Sequence, residues 1–280
     1  MYHSIASDGN VSVHPYYRTV TTPEIFERQM DFLNQSGYQA LTLSEAVGLL
    51  QLASDTPAPH EISNPLPLGR AERGGRSRRV RETTPRPVVV TFDDGFRDFH
   101  TEAFPILEKF GFKATVFLTS GCIDKTFITG RPCLAAREIR ELAGKGVEFG
   151  SHTVSHPQLQ GLSRNKIVHE LAGSKSSIED IIGSLVSSFS YPYRFPEEDK
   201  EFTKNFGAVL LEQGYAAGVT TVIGLSKPDD PLLFLKRLPV NDCDDSQLLR
   251  AKLEGDYDWM HTGQLTYKKL RAKCMSLTRP

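Results

Sequence analysis

Residues 88–95, Val88 Val89 Val90 Thr91 Phe92 Asp93 Asp94 Gly95, constrain the fold more than any other stretch of the chain. Four β-branched residues followed by an aromatic read as a buried strand, and a glycine directly after two acids lets the chain turn as it leaves the sheet. The two carboxylates then lie at the carboxyl end of a strand, where open and closed α/β sheets place their ligands. Taken alone, the stretch reads equally well as a strand entering an acidic Asp-Asp-Gly turn.

Around it the chain alternates. Thr22 can cap a helix over residues 23–36, with Pro23 in its first turn, Glu24 complementing the dipole, and an apolar face of Ile25, Phe26, Met30 and Leu33 before a stop at Gly37. A strand over 38–43 and a helix over 44–50 follow. Further helices are expected over 96–110, 135–143, 163–185 (capped by Ser163), 202–213 and 246–253, and strands over 114–118, 147–150, 188–191, 216–220 and 235–240. This pattern argues a parallel α/β sheet or barrel in a single domain. Residues 1–5 read as the end of a strand. The layout is therefore 1–53 as the first part of the barrel, 54–86 as a flexible insertion rich in proline and arginine, 87–255 as the main body and 256–280 as a tail. Arg70, Arg73, Arg76, Arg78, Arg79, Arg81 and Arg86 crowd the insertion. A solvated surface is its first reading, and contact with an anionic polymer or membrane headgroups its second.

A formal charge of −1 argues against a nucleic-acid partner. Cys122, Cys133, Cys243 and Cys274 are scattered without a Cys-x-x-Cys pair, so neither a thiolate zinc knot nor a disulfide framework is expected. No apolar run approaches the ~18 residues of a membrane span, and the amino terminus lacks a signal-peptide pattern, so a cytoplasmic location is expected.

A second constellation, Ser151 His152 Thr153 Val154 Ser155 His156, also follows a strand. A spacing of four puts both imidazoles on one face of a helical turn, able to reach one metal ion. Both motifs open on the same rim, and two histidines with one carboxylate make a common open hydrolytic metal site. The third stretch, Phe189 Ser190 Tyr191 Pro192 Tyr193, reads by itself as an aromatic strand end.

Together and in this order, Thr91 Phe92 Asp93 Asp94 Gly95, the His152 and His156 pair and the Pro192 Tyr193 segment resemble the NodB-homology polysaccharide deacetylase family. The likeness extends over most of the chain outside the insertion. It implies a distorted (β/α)7 barrel and a metal-dependent carbohydrate N-deacetylase acting on N-acetylhexosamine units of a polysaccharide or glycan precursor. An O-acetyl esterase or other amidohydrolase on the same scaffold, or an inactive glycan-binding protein, are the alternatives. By resemblance Asp94, His152 and His156 hold the metal, Asp93 is the general base, and the Tyr193 backbone N–H, placed by Pro192, joins in stabilising the oxyanion. Zinc suits the ligand set best, and Co2+, Ni2+, Mn2+ or Fe2+ also fit. Most of the family supplies a general-acid histidine from a late Leu-x-His segment, which is missing here. A subgroup including poly-N-acetylglucosamine deacetylases is similar to a circular permutation, with Met-Tyr-His at the amino terminus. Met1 Tyr2 His3 matches it, making His3 the expected acid. One departure is Ser190, where the family often has an arginine that fixes the catalytic aspartate. Arg237 is the candidate replacement.

Overall fold

The computed structural model describes residues 1–7, 18–55, 86–259 and 263. In chain order the elements are β1 (Ser4–Ile5), β2 (Val20–Thr21), α1 (Pro23–Gln35), β3 (Tyr38–Leu41), α2 (Leu43–Asp55), β4 (Arg86–Val89), β5 (Thr91–Phe92), α3 (Phe104–Lys109), β6 (Ala114–Leu118), α4 (Ala136–Ala143), β7 (Val147–Ser151), α5 (Arg164–Ile182), β8 (Ser188–Ser190), α6 (Lys200–Glu212), β9 (Ala217–Ile223), β10 (Leu235–Arg237) and α7 (Ser246–Leu253).

Six strands form one curled parallel sheet in the order β10-β9-β8-β7-β6-β5. Residues 1–5 bridge its two free edges. On one side the Tyr2 N–H donates to the Thr91 carbonyl at 2.8 Å and the Asp93 N–H to the Tyr2 carbonyl at 3.0 Å. On the other, the Met1 amine donates to the Leu238 carbonyl at 2.9 Å and the Val240 N–H to the Met1 carbonyl at 3.1 Å. The amino-terminal segment is thus a seventh staff of a distorted (β/α) barrel, and short as it is, it is paired on both sides. β3 pairs with β4 beneath this closure, and β1 continues onto β2.

The outer layer follows from apolar periodicity. α1 buries Phe26, Met30 and Leu33, and α6 buries Phe206, Val209 and Leu210. A continuous core runs from Phe26 and Phe92 through Phe99 and Leu107 to Phe189, Phe206 and Tyr215. α2 carries Leu43 and Val47 onto a separate apolar cluster with Phe117, Val219 and Leu235.

Several local expectations are corrected. Thr22 occupies the N-cap position of α1, but its side chain makes no capping bond, and its N–H is taken by Asp242 at 2.7 Å. Ser163 likewise stands at the N-cap of α5 without a side-chain cap, and α5 stops at Gly183, whose φ of +69° suits a left-handed cap, rather than running to 185. The helix expected over 96–110 is broken into a π-helical turn (Phe99–Ala103) and α3. α2 is five residues longer than residues 44–50 suggested at its carboxyl end. Residues 56–85, most of the arginine-rich insertion, lie outside the described residues, as does nearly all of the tail beyond 259. Among the described residues no helix is long and apolar enough to cross a membrane.

Candidate metal centre

Asp94 follows β5, His152 follows β7, and His156 ends the loop after it, so parallel strands deliver all three to one rim. Their ligand atoms all lie within 4.8 Å of one another. Nε2 of His152 is 3.5 Å and Nε2 of His156 3.4 Å from Asp94 Oδ1. Ligands held ~2.0–2.1 Å from one tetrahedral ion stand about 3.4 Å apart, so the spacing suits a common cation. His152 Nδ1 lies 2.8 Å from the Ser190 carbonyl, which can only accept. Nδ1 therefore carries the proton and Nε2 keeps its lone pair towards Asp94.

The electrostatics agree. Burial pulls the His152 imidazole down to about 3 and lowers His156 too, so both are neutral near pH 7. Burial, and then the adjacent Asp93 charge, push the Asp94 carboxyl up to about 8. Two imidazole lone pairs and a carboxyl oxygen converge on one point. The donor set fits a divalent metal ion.

Asp93 has a different environment one residue away. Arg237 from β10 grips it with both ends of its fork, Nη1 to Oδ1 and Nη2 to Oδ2, each at 2.8 Å. The Ser190 hydroxyl donates to Oδ1 at 3.1 Å while accepting from Arg237 Nη2 at 3.0 Å. The guanidinium is itself aimed by Nε, which donates to the Thr220 carbonyl at 2.9 Å. Burial alone would raise the Asp93 carboxyl, but the Arg237 charge and hydrogen bonds outweigh it and hold it well below the usual range.

The backbone here is strained. Of the five non-glycine residues with positive φ among the described residues, four are Asp94 (71°), Thr153 (71°), His156 (55°) and Tyr193 (57°). Such conformations cost about 1–3 kcal/mol each and persist where surrounding structure enforces them. The histidine pair is accordingly not on a helical turn, as its spacing suggested. Left-handed turns at Thr153 and His156 fold the loop back, and Thr153 Oγ1 accepts the His156 N–H at 2.9 Å. Glu170 of α5 takes the N–H groups of Val154 and Ser155, both at 2.9 Å, and the Ser155 hydroxyl at 2.6 Å. Gly121 donates to the Val154 carbonyl from so close that a β-carbon at 121 would lie 2.6 Å from that oxygen. Glu170 and Thr153 were not singled out in the sequence, where one is a polar residue of an amphipathic helix and the other a spacer between histidines.

Tyr193 follows the buried Pro192 and leaves its ring 54% exposed, edge-on to His156 with centroids 4.4 Å apart. Its N–H has no partner among the described residues, while its carbonyl accepts from Thr221 Oγ1 at 3.1 Å. Tyr2 pairs with Phe92, which sets His3 level with Asp93. Burial pulls the His3 imidazole down to about 4 against the opposing charge of Asp93, with Arg237 and His156 also within electrostatic reach.

The chain is similar to known proteins in sequence and in fold. The profile of the family described as polysaccharide deacetylase matches residues 80–217. A Bacillus subtilis protein named as a putative polysaccharide deacetylase, YxkH, is 29% identical over 242 residues, covering 86% of this chain and 70% of its own length. Poly-beta-1,6-N-acetyl-D-glucosamine N-deacetylase of Staphylococcus aureus is 26% identical over 169 residues, 56% of this chain and 55% of that protein, so the chain spans about half its length. In fold, the chain is similar to the Streptococcus pyogenes deacetylase PplD (TM-score 0.69, 22% identity, covering 90% of this chain and 96% of the other) and to IcaB from Ammonifex degensii (TM-score 0.62, 22% identity, covering 90% and 100%). With its strand-end acids, its histidine pair and its aromatic Pro-Tyr segment on one rim of that fold, the chain carries a polysaccharide deacetylase domain over residues 80–217.

Proposed function

We propose that the chain hydrolyses the acetamide of N-acetylhexosamine units in a glycan, releasing acetate and leaving a free amine. The observation that carries this reading is the division of the two neighbouring acids, Asp94 facing two imidazole lone pairs and Asp93 locked as an anion by Arg237. Asp94, His152 and His156 would hold a divalent ion, with zinc the best match to the donor set and cobalt, nickel, manganese or iron also suited. When bound, such an ion supplies Lewis acidity towards the amide carbonyl and lowers the pKa of water.

The chain's own groups account for the remaining tasks. Asp93 is ionised and keeps one lone pair, on Oδ2, beyond those engaged by Arg237 and Ser190, so it can take the proton of the attacking water. The Tyr193 N–H, set by its left-handed backbone, can donate to the oxygen that gains charge as the carbonyl becomes tetrahedral. His3, level with Asp93 in the strand register, would hand a proton to the departing amine. Since burial keeps its imidazole neutral at rest, that proton must reach it during the cycle.

The substrate class is drawn from the named S. aureus relative and is tested with β-1,6-linked N-acetylglucosamine oligomers. Metal-loaded protein should release acetate and primary amine in equal amounts. Acetate from O-acetylated sugars with no amine from the oligomers would make the protein an esterase, and retained oligomer binding with no turnover would make it a glycan-binding protein.

A further inference from the structure

The fold sets the side chains of Cys122 and Cys133 against one another beside the site. Cys133 is buried and Cys122 half-buried, and both pack with Phe96 and Phe127 in a small cluster of their own. Their thiols share a hydrogen bond, and the charge of Asp94 reaches both.

Each cysteine is tied to a different half of the site. Cys122 ends the 3-10 turn Ser120–Cys122 after β6, where the Ser120 N–H donates to the Thr153 carbonyl at 3.1 Å and the Gly121 N–H to the Val154 carbonyl at 2.9 Å. That turn is thereby bound to the loop carrying His156. Cys133 bridges to Phe96, and its neighbours hold the chain as it leaves Asp94. The Leu134 N–H donates to the Gly95 carbonyl and the Arg97 N–H to the Pro132 carbonyl, both at 2.9 Å. Between the cysteines the chain folds back at Lys125, whose N–H donates to the Cys122 carbonyl and whose carbonyl accepts from the Cys133 N–H, both at 2.9 Å. The loop so formed carries Phe127, buried and edge-on to Phe96 and to His156, with ring centroids 5.4 Å away in each case. A bond between the two sulfurs would close this loop at its base and join the backbone after Asp94 to the backbone that supports His156.

We propose that Cys122 and Cys133 form a reversible disulfide, by exchange with a low-molecular-weight disulfide, that staples these two loops together and holds Phe127 against His156. Cys122, the more accessible thiol, attacks one sulfur of the small disulfide. A bond to that sulfur forms, the small molecule's S–S bond breaks, and its other half leaves as a thiol carrying the Cys122 proton. Cys133 then attacks the Cys122 sulfur, closing the internal bond and releasing the second small thiol, which takes the Cys133 proton. The protein gives up two electrons and two protons, and the small disulfide gains both. The hydrogen bond between the thiols sets this order, because Cys133 donates and Cys122 accepts, which favours the Cys122 thiolate. Burial, and then the charges of Cys122 and Asp94, push the Cys133 thiol up to about 12, and the Cys122 charge is removed once that residue is in the mixed disulfide.

The test uses the full chain carrying Cys243→Ser and Cys274→Ser, incubated with oxidised glutathione at mildly alkaline pH and compared with the dithiothreitol-reduced form. Non-reducing peptide mapping should find Cys122 joined to Cys133, with both thiols recovered on reduction. Closing this loop should raise Tm by about 4 °C or more, and slow hydrogen exchange at the Gly121 and Leu134 amides by about tenfold or more. Adding Cys133→Ser should stop the reaction at a glutathione adduct on Cys122 and produce neither change. Free thiols at both positions after oxidation would overturn the proposal, as would an adduct on Cys122 that does not close in the parent. A Cys122–Cys133 bond that leaves Tm and both amides unchanged would refute the staple. None of these readouts involves acetate release or a bound metal, so the proposed function stands or falls separately.

Discussion

Replacing Arg237 by alanine tests the central feature of the site. The guanidinium makes two 2.8 Å bonds to Asp93, and both residues are buried. Removing one member of a buried pair leaves the other charge uncompensated and costs about 3–5 kcal/mol. In a domain of this size that is a loss of roughly 6–20 °C in Tm, measurable by calorimetry. The pH dependence has a definite sign. Asp93 is held below its unfolded value near 3.9, so the contribution of the pair is fully present above about pH 4 and is lost as pH falls further. The stability gap between wild type and Arg237→Ala should therefore be widest near neutrality and narrow in acid. Turnover should fall by about 100-fold or more, since a misaimed or protonated Asp93 forfeits much of what a general base contributes, while metal content stays at one equivalent. Arg237→Lys keeps the charge but not the fork and should fall between the two. Adding Ser190→Arg to Arg237→Ala should recover part of the turnover by gripping Asp93 from β8. An Arg237→Ala protein with turnover within threefold of wild type and full metal would refute the clamp.

Asp94→Ala, His152→Ala and His156→Ala should each lose bound metal and activity, whereas Asp93→Asn should keep metal and lose turnover. Metal analysis showing an empty Asp93→Asn site would reverse the assignment of the two acids. Because the Asp94 carboxyl is pushed up to about 8 in the metal-free site, an entering ion must displace its proton. Apparent metal affinity, followed by titration calorimetry, should fall about tenfold per pH unit below 8, and a flat response from pH 6 to 8 would contradict that. His3→Ala should lower kcat without changing metal content, and an unchanged rate would remove His3 from the mechanism. Glu170→Ala should loosen the loop that carries His156 and lower metal affinity by about 10–100-fold, a loss that would be absent if Glu170 served only the exterior of α5.

What the sequence disclosed was local. Asp93 and Asp94 are adjacent, His152 and His156 are four apart, and each group follows a stretch that reads as a strand, the first from its run of β-branched residues and the second from Val147 and Phe149, so the donor set and its rim were legible before any coordinates. Strand and helix types followed from periodicity in the same way. The loop conformation between the histidines was not legible, because spacing four is compatible with a helical turn and nothing in Thr153 Val154 Ser155 signals two left-handed residues. Their support arrives from Glu170, 15 and 16 residues away on another element. Closure of the barrel was half legible, since Met1 Tyr2 His3 looked like a strand end but its pairing with both Thr91 and Leu238 depends on contacts far apart in the chain.

The Arg237–Ser190–Asp93 network shows why such contacts stay hidden and how they constrain one another. Arg237 lies 144 residues from Asp93 and reaches it from β10 by anchoring Nε on the Thr220 carbonyl of the intervening β9. On that route the guanidinium meets the buried Ser190, whose hydroxyl completes the network by accepting from Arg237 and donating to Asp93. An arginine at 190 with Arg237 still in place would put two guanidinium groups on one buried carboxylate. The second would be desolvated without a partner, which burial penalises heavily. The serine is therefore the complement of Arg237 rather than a defect of the motif. Ser190→Arg alone should be less stable than wild type, while the same substitution in the Arg237→Ala protein should be stabilising. This reversal of sign in a double-mutant cycle is the signature of two mutually exclusive ways to hold one aspartate.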